Sequence, residues 1–129
     1  MYKWQKTQWD SVMQRRDKLP HALLLRGRLG IGKHDFAVSL TYALLCQQSK
    51  DSQPACGVCA SCLWLKEGAH PDFKLITPEE ESVAEGNTKK KVSKKSQITV
   101  SQIRQLYDYL SLTTHQVGGL RIILISPAE

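Results

Sequence analysis

The chain has 129 residues, 41% of them hydrophobic, which is enough for one domain with its own core. No stretch approaches the roughly 18 consecutive apolar residues of a membrane span, and the N-terminus lacks the apolar core of a signal peptide. We therefore expect a cytoplasmic protein. The formal net charge is +6, but five lysines lie in the acid-free segment 86–96, which argues against a broadly basic binding face.

The first predicted elements are an amphipathic helix and a buried strand. Residues 3–18 carry Trp9, Val12 and Met13 at the i, i+3, i+4 spacing of one helix face. The apolar run His21–Leu25 comes directly before glycines and is typical of a buried parallel strand.

A glycine-rich turn follows this strand and precedes a helix predicted at about 33–47, which is the order in which phosphate-binding loops occur. The turn fits the pattern Gly-x4-Gly-Lys and ends at Lys33. Glycines allow backbone N–H groups to face a phosphate, and the lysine reaches its outer oxygens. The candidate nucleotide-binding residues are Gly27, Gly30, Gly32 and Lys33. The alternative is a simple strand-to-helix turn that binds nothing.

Two parts of the hydrolytic machinery, the residue after the loop lysine and the end of a later strand, depart from what ATP hydrolysis requires. The residue after the lysine normally supplies a hydroxyl to Mg²⁺, but here it is His34, and neutral imidazole is a poor Mg²⁺ ligand. Asp35 offers oxygen but is rotated about 100° around the helix. Ser126 and Pro127 stand where acids would follow a later strand. The sequence therefore predicts nucleotide binding without hydrolysis, or no nucleotide.

Four cysteines follow the loop with short spacing, and they are Cys46, Cys56, Cys59 and Cys62. Two-residue gaps let a tight turn present two sulfurs to one ion, and four thiolates form a closed structural zinc site. The polar segment 47–55 cannot supply a core of its own. We predict Zn²⁺ bound by all four cysteines, with no open position for catalysis.

Three other interpretations of the cysteines compete with zinc. Disulfides are disfavoured in a reducing compartment, and a redox Cys-x-x-Cys pair leaves two cysteines unexplained. In the third, Cys46 is a buried helix residue and His70 is the fourth ligand. His70 begins the sequence His-Pro-Asp, for which we favour a packed turn over a catalytic role.

The rest of the chain alternates helices and strands, which predicts an α/β fold with a parallel sheet. Three strands are few for such a sheet, so we expect an incomplete sheet and the N-terminal part of a longer polypeptide. The first of these predicted elements are a helix at 60–67 stopped by Gly68, a strand at 73–76 and a mobile lysine-rich loop at 78–97. A helix then runs from a Ser101 cap to Leu112, with an inner face of Ile103, Leu106, Tyr107 and Leu110. A turn at Gly118 and Gly119 and a strand at 120–125 follow it.

Several of these features together resemble bacterial clamp-loader subunits of the AAA+ class, over nearly all 129 residues. They are the run Leu-Pro-His-Ala-Leu-Leu-Leu from Leu19, the glycine loop, the cysteine quartet, the His-Pro-Asp turn and the closing run Ile-Ile-Leu-Ile-Ser-Pro-Ala-Glu. Two subunit types of DNA polymerase III share the zinc module. His34 and Ser126 depart from the ATP-hydrolysing gamma/tau motor type and match the delta-prime type.

The resemblance implies a P-loop nucleotide-binding-like domain over 1–129, with a zinc module at about 46–62. It implies a non-hydrolysing stator in a clamp loader of the DNA-directed DNA polymerase, a nucleotidyltransferase. Its implied partners are the delta and gamma/tau subunits and, through them, the sliding clamp and primed DNA. The Ser-Arg-Cys motif that carries a trans-acting arginine in this family is absent here. The alternatives are a gamma/tau-type ATPase and a zinc-dependent nucleic-acid-binding module that uses the lysine loop.

Overall fold

The computed structural model describes residues 2–49, 53–78, 97–114 and 119–126. Within them lie helices α1 (Lys6–Met13), α2 (Lys33–Leu45), α3 (Ala60–Lys66) and α4 (Val100–Ser111), strands β1 (Phe73–Ile76) and β2 (Ile122–Ile125), and short 3-10 helices at Lys3–Gln5 and Arg16–Lys18. The predicted lysine-rich loop falls almost wholly, and the predicted turn at Gly118 partly, outside the described residues. None of the helices in the described ranges is long and apolar enough to cross a bilayer.

The chain divides into two compact units. Unit 1 comprises Met1–Lys74 and Thr114–Leu124, and unit 2 comprises Leu75–Thr113 and Ile125–Glu129. All of the candidate loop and cysteine residues belong to unit 1.

The apolar core of unit 1 forms where α1 packs against α2. Trp9 and Met13 of α1 are buried with Phe36, Leu40 and Ala43 of α2. The rings of Trp9 and Phe36 meet edge to face, with centroids 6.1 Å apart and an interplanar angle of 89°, which is a favourable aromatic geometry. The predicted inner face of α1 is thereby confirmed, with Val12 packed against the same cluster, and this core fixes the position of α2.

The ends of these two helices differ from the prediction. The predicted helix at 3–18 is a 3-10 turn, then α1, then a second 3-10 turn. Helix α2 begins at the predicted Lys33 but ends at Leu45, because Cys46 adopts an extended backbone with ψ of 126°. That change of direction turns Cys46 away from the helix axis.

Strands β1 and β2 form a two-stranded parallel sheet. The N–H of Ile122 donates to the carbonyl of Asp72 at 2.9 Å, and the N–H of Ser126 donates to the carbonyl of Ile76 at 3.0 Å. Both strands advance by the same number of residues between these two bonds, so they run in the same direction. Helices with a parallel strand pair confirm the mixed α/β character that the sequence predicts.

The predicted buried strand His21–Leu25 is wrong. The segment forms no strand in the structure, and Leu24 is 74% exposed. A parallel strand is stabilised by bonds to neighbouring strands, and the sheet of the described residues contains only β1 and β2. The apolar run therefore has the composition of a strand without the partner that a strand requires.

Helix α4, in unit 2, corrects two further details. Its N-cap is Thr99, not the predicted Ser101: the Thr99 hydroxyl accepts from the N–H of Gln102 at 3.4 Å, and the Gln102 side chain accepts from the N–H of Thr99 at 2.8 Å. Of the predicted inner face only Leu106 is buried, whereas Tyr107 is 78% exposed. Helical spacing groups side chains on one face, but it does not supply the surface that covers them.

Removal of the central aromatic ring of the unit 1 core tests this packing. We expect Phe36→Ala to lower the free energy of unfolding by about 3–5 kcal/mol, because it leaves a cavity beside Trp9. Leu29→Ala is the control, since Leu29 is 94% exposed and its truncation costs at most about 0.5 kcal/mol. Urea unfolding followed by tryptophan fluorescence measures both, and equal losses would contradict the packing described here.

Candidate functional site

The four cysteines converge at the C-terminal end of α2. Cys46 directly follows α2, Cys56 and Cys59 lie on the turn before α3, and Cys62 lies within α3. The four sulfur atoms all lie within 4.8 Å of one another, with Cys46 and Cys59 at 3.9 Å and Cys56 and Cys62 also at 3.9 Å. Four sulfurs around Zn²⁺ at 2.3 Å are about 3.8 Å apart in a tetrahedron. The cluster therefore has the donor set and the spacing of a four-thiolate metal site.

Backbone N–H groups orient the sulfurs. The N–H of Cys56 donates to the sulfur of Cys46 at 3.4 Å, the N–H of Cys59 to that of Cys56 at 3.4 Å, and the N–H of Cys62 to that of Cys59 at 3.5 Å. Gly57 has a φ of 76°, which glycine adopts readily and which lets the turn between Cys56 and Cys59 close. These bonds favour negative charge on the sulfurs, which is the form that binds metal.

The thiols differ in how readily they lose a proton. Hydrogen bonds from the backbone N–H groups of Val58 and Cys59 lower the pKa of the Cys56 thiol to about 6. Burial opposes ionisation of Cys59, but backbone bonds from Cys62 and Gln47 outweigh it and lower the pKa of that thiol. Burial raises the pKa of the Cys62 thiol to about 12. A divalent cation reverses the effect of burial, because a coordinated thiol is held as thiolate.

The structure separates the competing interpretations of the cysteines. All four are free thiols, and sulfurs 3.9 Å apart are far beyond the roughly 2.05 Å of a disulfide. His70 does not join the sulfurs: its Nε2 bonds the Ser61 hydroxyl at 2.7 Å and its Nδ1 accepts from the N–H of Asp72 at 3.0 Å. The alternative with His70 as fourth ligand is therefore wrong, whereas the packed turn is confirmed.

The glycine loop lies at the opposite end of α2. Its three glycines have positive φ values of 152° at Gly27, 80° at Gly30 and 80° at Gly32, and Gly32 is the N-cap of α2. The ammonium of Lys33 donates to the carbonyl of Gly27, so the lysine closes the loop upon itself. A phosphate in the loop would replace the Gly27 carbonyl as the acceptor of the Lys33 ammonium, because a charged acceptor forms the stronger hydrogen bond.

Two residues near the N-terminus, Tyr2 and Gln5, hold this loop, and sequence reasoning missed both. The buried Gln5 side chain donates to the carbonyls of Ile31 at 3.2 Å and Gly32 at 3.0 Å. The ring of Tyr2 lies where a side chain on Gly32 would be, 2.4 Å from an added Cβ. The sequence around Tyr2 and Gln5 does not indicate these contacts, because the loop residues that they touch lie far along the chain.

The comparisons with known proteins agree with the resemblance described above. Residues 4–129 match the family described as DNA polymerase III, delta subunit. The chain belongs to this family. It is 36% identical over 129 residues to the DNA polymerase III subunit delta' of Pseudomonas aeruginosa, which covers all of this chain and 34% of that protein.

Two further relatives carry the same name. The subunit delta' of Yersinia pestis is 35% identical over 109 residues, and that of Escherichia coli is 27% identical over 108 residues. Each alignment covers 84% of this chain and 28% of the relative. The chain thus spans about a third of the length of these relatives or less. These matches confirm the delta-prime resemblance that the sequence predicts.

Adding a methyl group to each of two loop glycines tests how Tyr2 packs on the loop. We expect Gly30→Ala to cost about 1–2 kcal/mol of unfolding free energy, because alanine at this φ is strained; nothing lies within 4 Å of its added Cβ. Gly32→Ala has the same φ and also meets the Tyr2 ring, so it should cost more. Adding Tyr2→Ala to Gly32→Ala should recover the difference, since contacting residues are non-additive. Equal costs for the two glycine variants would refute this arrangement.

Proposed function

We propose that this chain is part of a delta-prime subunit of the DNA polymerase III clamp loader, where it serves as a non-hydrolysing stator. Membership in the family and the names of the relatives support a role in this replication complex. The resemblance supplies its partners: the delta and gamma/tau subunits, and through them the sliding clamp and primed DNA. The proposed setting is the bacterial cytoplasm.

The observation that carries the stator assignment is the first turn of α2. His34 occupies the position that follows the loop lysine, where a Mg²⁺-binding hydroxyl is required. The carboxylate of Asp35, the acid in this turn, accepts a hydrogen bond from the Tyr2 hydroxyl at 3.3 Å. Ser126 follows β2 in place of an acid. The loop therefore keeps the backbone N–H groups and the lysine that bind phosphate. The positions that would hold Mg²⁺ lack the oxygen ligands that hydrolysis needs.

ATP or ADP is the proposed ligand of the loop, bound by Gly27, Gly30, Gly32 and Lys33. The positive φ values of the glycines allow their N–H groups to form a concave anion site at the start of α2. The helix dipole adds to the attraction of phosphate there. Bound nucleotide would stabilise the loop without being turned over.

Zn²⁺ is the proposed resident of the cysteine cluster, held by Cys46, Cys56, Cys59 and Cys62. When bound, Zn²⁺ would cross-link α2, the turn before α3 and α3 itself. It would take no part in a reaction. Four thiolates complete its shell and leave no position for water or substrate. The site is therefore structural.

Metal analysis tests the zinc assignment. We expect about one equivalent of zinc in the purified protein, and loss of most of it in Cys62→Ala, because three thiolates bind zinc less firmly than four. Val58→Ala is the matched control, since Val58 lies on the same turn but is 73% exposed. Zinc below half an equivalent in the parent protein would exclude a resident zinc.

Steady-state ATPase assays with Mg²⁺ test the stator assignment. We expect no turnover above background from the subunit alone, because His34 takes the place of the hydroxyl residue that would hold Mg²⁺ directly after Lys33. Lys33→Ala should leave that background unchanged and weaken ADP binding about tenfold, the value of one charge-assisted contact. Lys18→Ala, a change at an exposed lysine, is the control for lost charge. Turnover that Lys33→Ala abolishes would instead favour a gamma/tau-type ATPase.

A further inference from the structure

A buried serine lies between the cysteine segments. Ser61 is in α3, next to Cys62, and is 2% exposed. Its hydroxyl donates to the carbonyl of Leu45 at 2.7 Å and lies 2.7 Å from Nε2 of His70. Because Leu45 directly precedes Cys46, this one hydroxyl joins the segment of one cysteine to the helix that carries another.

The bonding around His70 fixes the direction of each hydrogen bond. The Nδ1 atom accepts from the N–H of Asp72 at 3.0 Å, so the proton of a neutral imidazole resides on Nε2. Nε2 therefore donates to the Ser61 oxygen, and the Ser61 proton is committed to Leu45. This arrangement leaves the imidazole unable to take the serine proton, so the pair is not a nucleophile and its base. It is a satisfied buried network.

The network continues from His70 into the sheet. The carbonyl of Asp72 accepts from the N–H of Ile122, the first residue of β2, at 2.9 Å. The Asp72 carboxylate pairs with the Arg121 guanidinium at 3.4 Å, with 4% and 9% of the two side chains exposed. Ser61 is thus connected through His70 to the buried ion pair of Asp72 and Arg121, next to β2.

Cys46 depends on such a connection more than the other three cysteines do. Cys56, Cys59 and Cys62 are separated by two-residue gaps and are held together by their own turn and helix. Cys46 reaches them across nine intervening residues. The bond from Ser61 to Leu45 is therefore a tertiary contact that places the sulfur of Cys46 against that of Cys59.

We propose that Ser61 and His70 are positioning residues of the metal site, which set the approach of Cys46 to the other three sulfurs. The inference rests on the proposed zinc site. Neither residue touches the ion; they act by holding the Leu45 carbonyl, and with it the Cys46 backbone, at a fixed distance from α3. Loss of such outer contacts lowers metal affinity by roughly 10–100-fold in known sites.

Zinc release to a chromogenic chelator measures this role. We expect zinc to leave Ser61→Ala about tenfold faster than the parent protein, because Cys46 is no longer fixed. The matched control is Tyr42→Phe, which removes a second hydroxyl link between α2 and α3, from Tyr42 to the carbonyl of Leu65 at 2.9 Å. That bond lies one turn away from Cys46, so Tyr42→Phe should lower thermal stability while leaving zinc release nearly unchanged.

His70 provides a second and independent variant. His70→Gln retains an amide N–H near the position of Nε2 and should release zinc at close to the parent rate, whereas His70→Leu should resemble Ser61→Ala. This pair decides the question if Ser61→Ala does not fold. Release from Ser61→Ala at the rate of Tyr42→Phe, or equal release from both His70 variants, would overturn the positioning role and leave the zinc site standing. A parent protein without zinc would overturn both.

Discussion

The close approach of four cysteine sulfurs is the constraint on which the arrangement of α2 and α3 depends. The sulfurs lie within 4.8 Å of one another, and four thiolates at that spacing repel one another unless a cation lies among them. The cysteines also differ individually: hydrogen bonds from backbone N–H groups lower the pKa of the Cys56 thiol, whereas burial raises the pKa of the Cys62 thiol. A bound divalent cation would remove this repulsion and cross-link the segments that carry the four cysteines.

Helix α2 joins this cluster to the glycine loop. Its 13 residues span about 20 Å, with the loop at one end and Cys46 at the other. Between them, its inner face packs on α1, and Ala43 is completely buried. Close-packed interiors have low compressibility and transmit strain. The position of the loop is therefore tied to the same element that the cysteines fix, although the two sites share no residue.

Local patterns predicted the elements of this fold better than their contacts. The helical and strand spacing identified α2, α3, β1 and β2, and the cysteine spacing identified the cluster, because these signals lie within short windows. The run His21–Leu25 has the right composition for a strand, but a strand also needs a neighbour in space. Gln5 holds carbonyls 26 and 27 residues away, and Ser61 meets residues on both sides of it in sequence. Such contacts depend on the tertiary structure, and residue spacing along the sequence does not predict them.

The charges at the two ends of α2 show why each end requires a partner. A helix carries partial positive charge at its N-terminus and partial negative charge at its C-terminus. The dipole opposes the charge of Lys33 at the first position, and it would also oppose a metal-binding thiolate at Cys46, directly after the last position. The protein offsets the opposition in part: the Gly27 carbonyl accepts from Lys33, and the Arg16 guanidinium donates to the carbonyls of Leu44 at 3.4 Å and Ser49 at 2.7 Å. An anion at the loop and a cation at the cysteines would complete the balance, which is the arrangement that the proposed nucleotide and zinc provide.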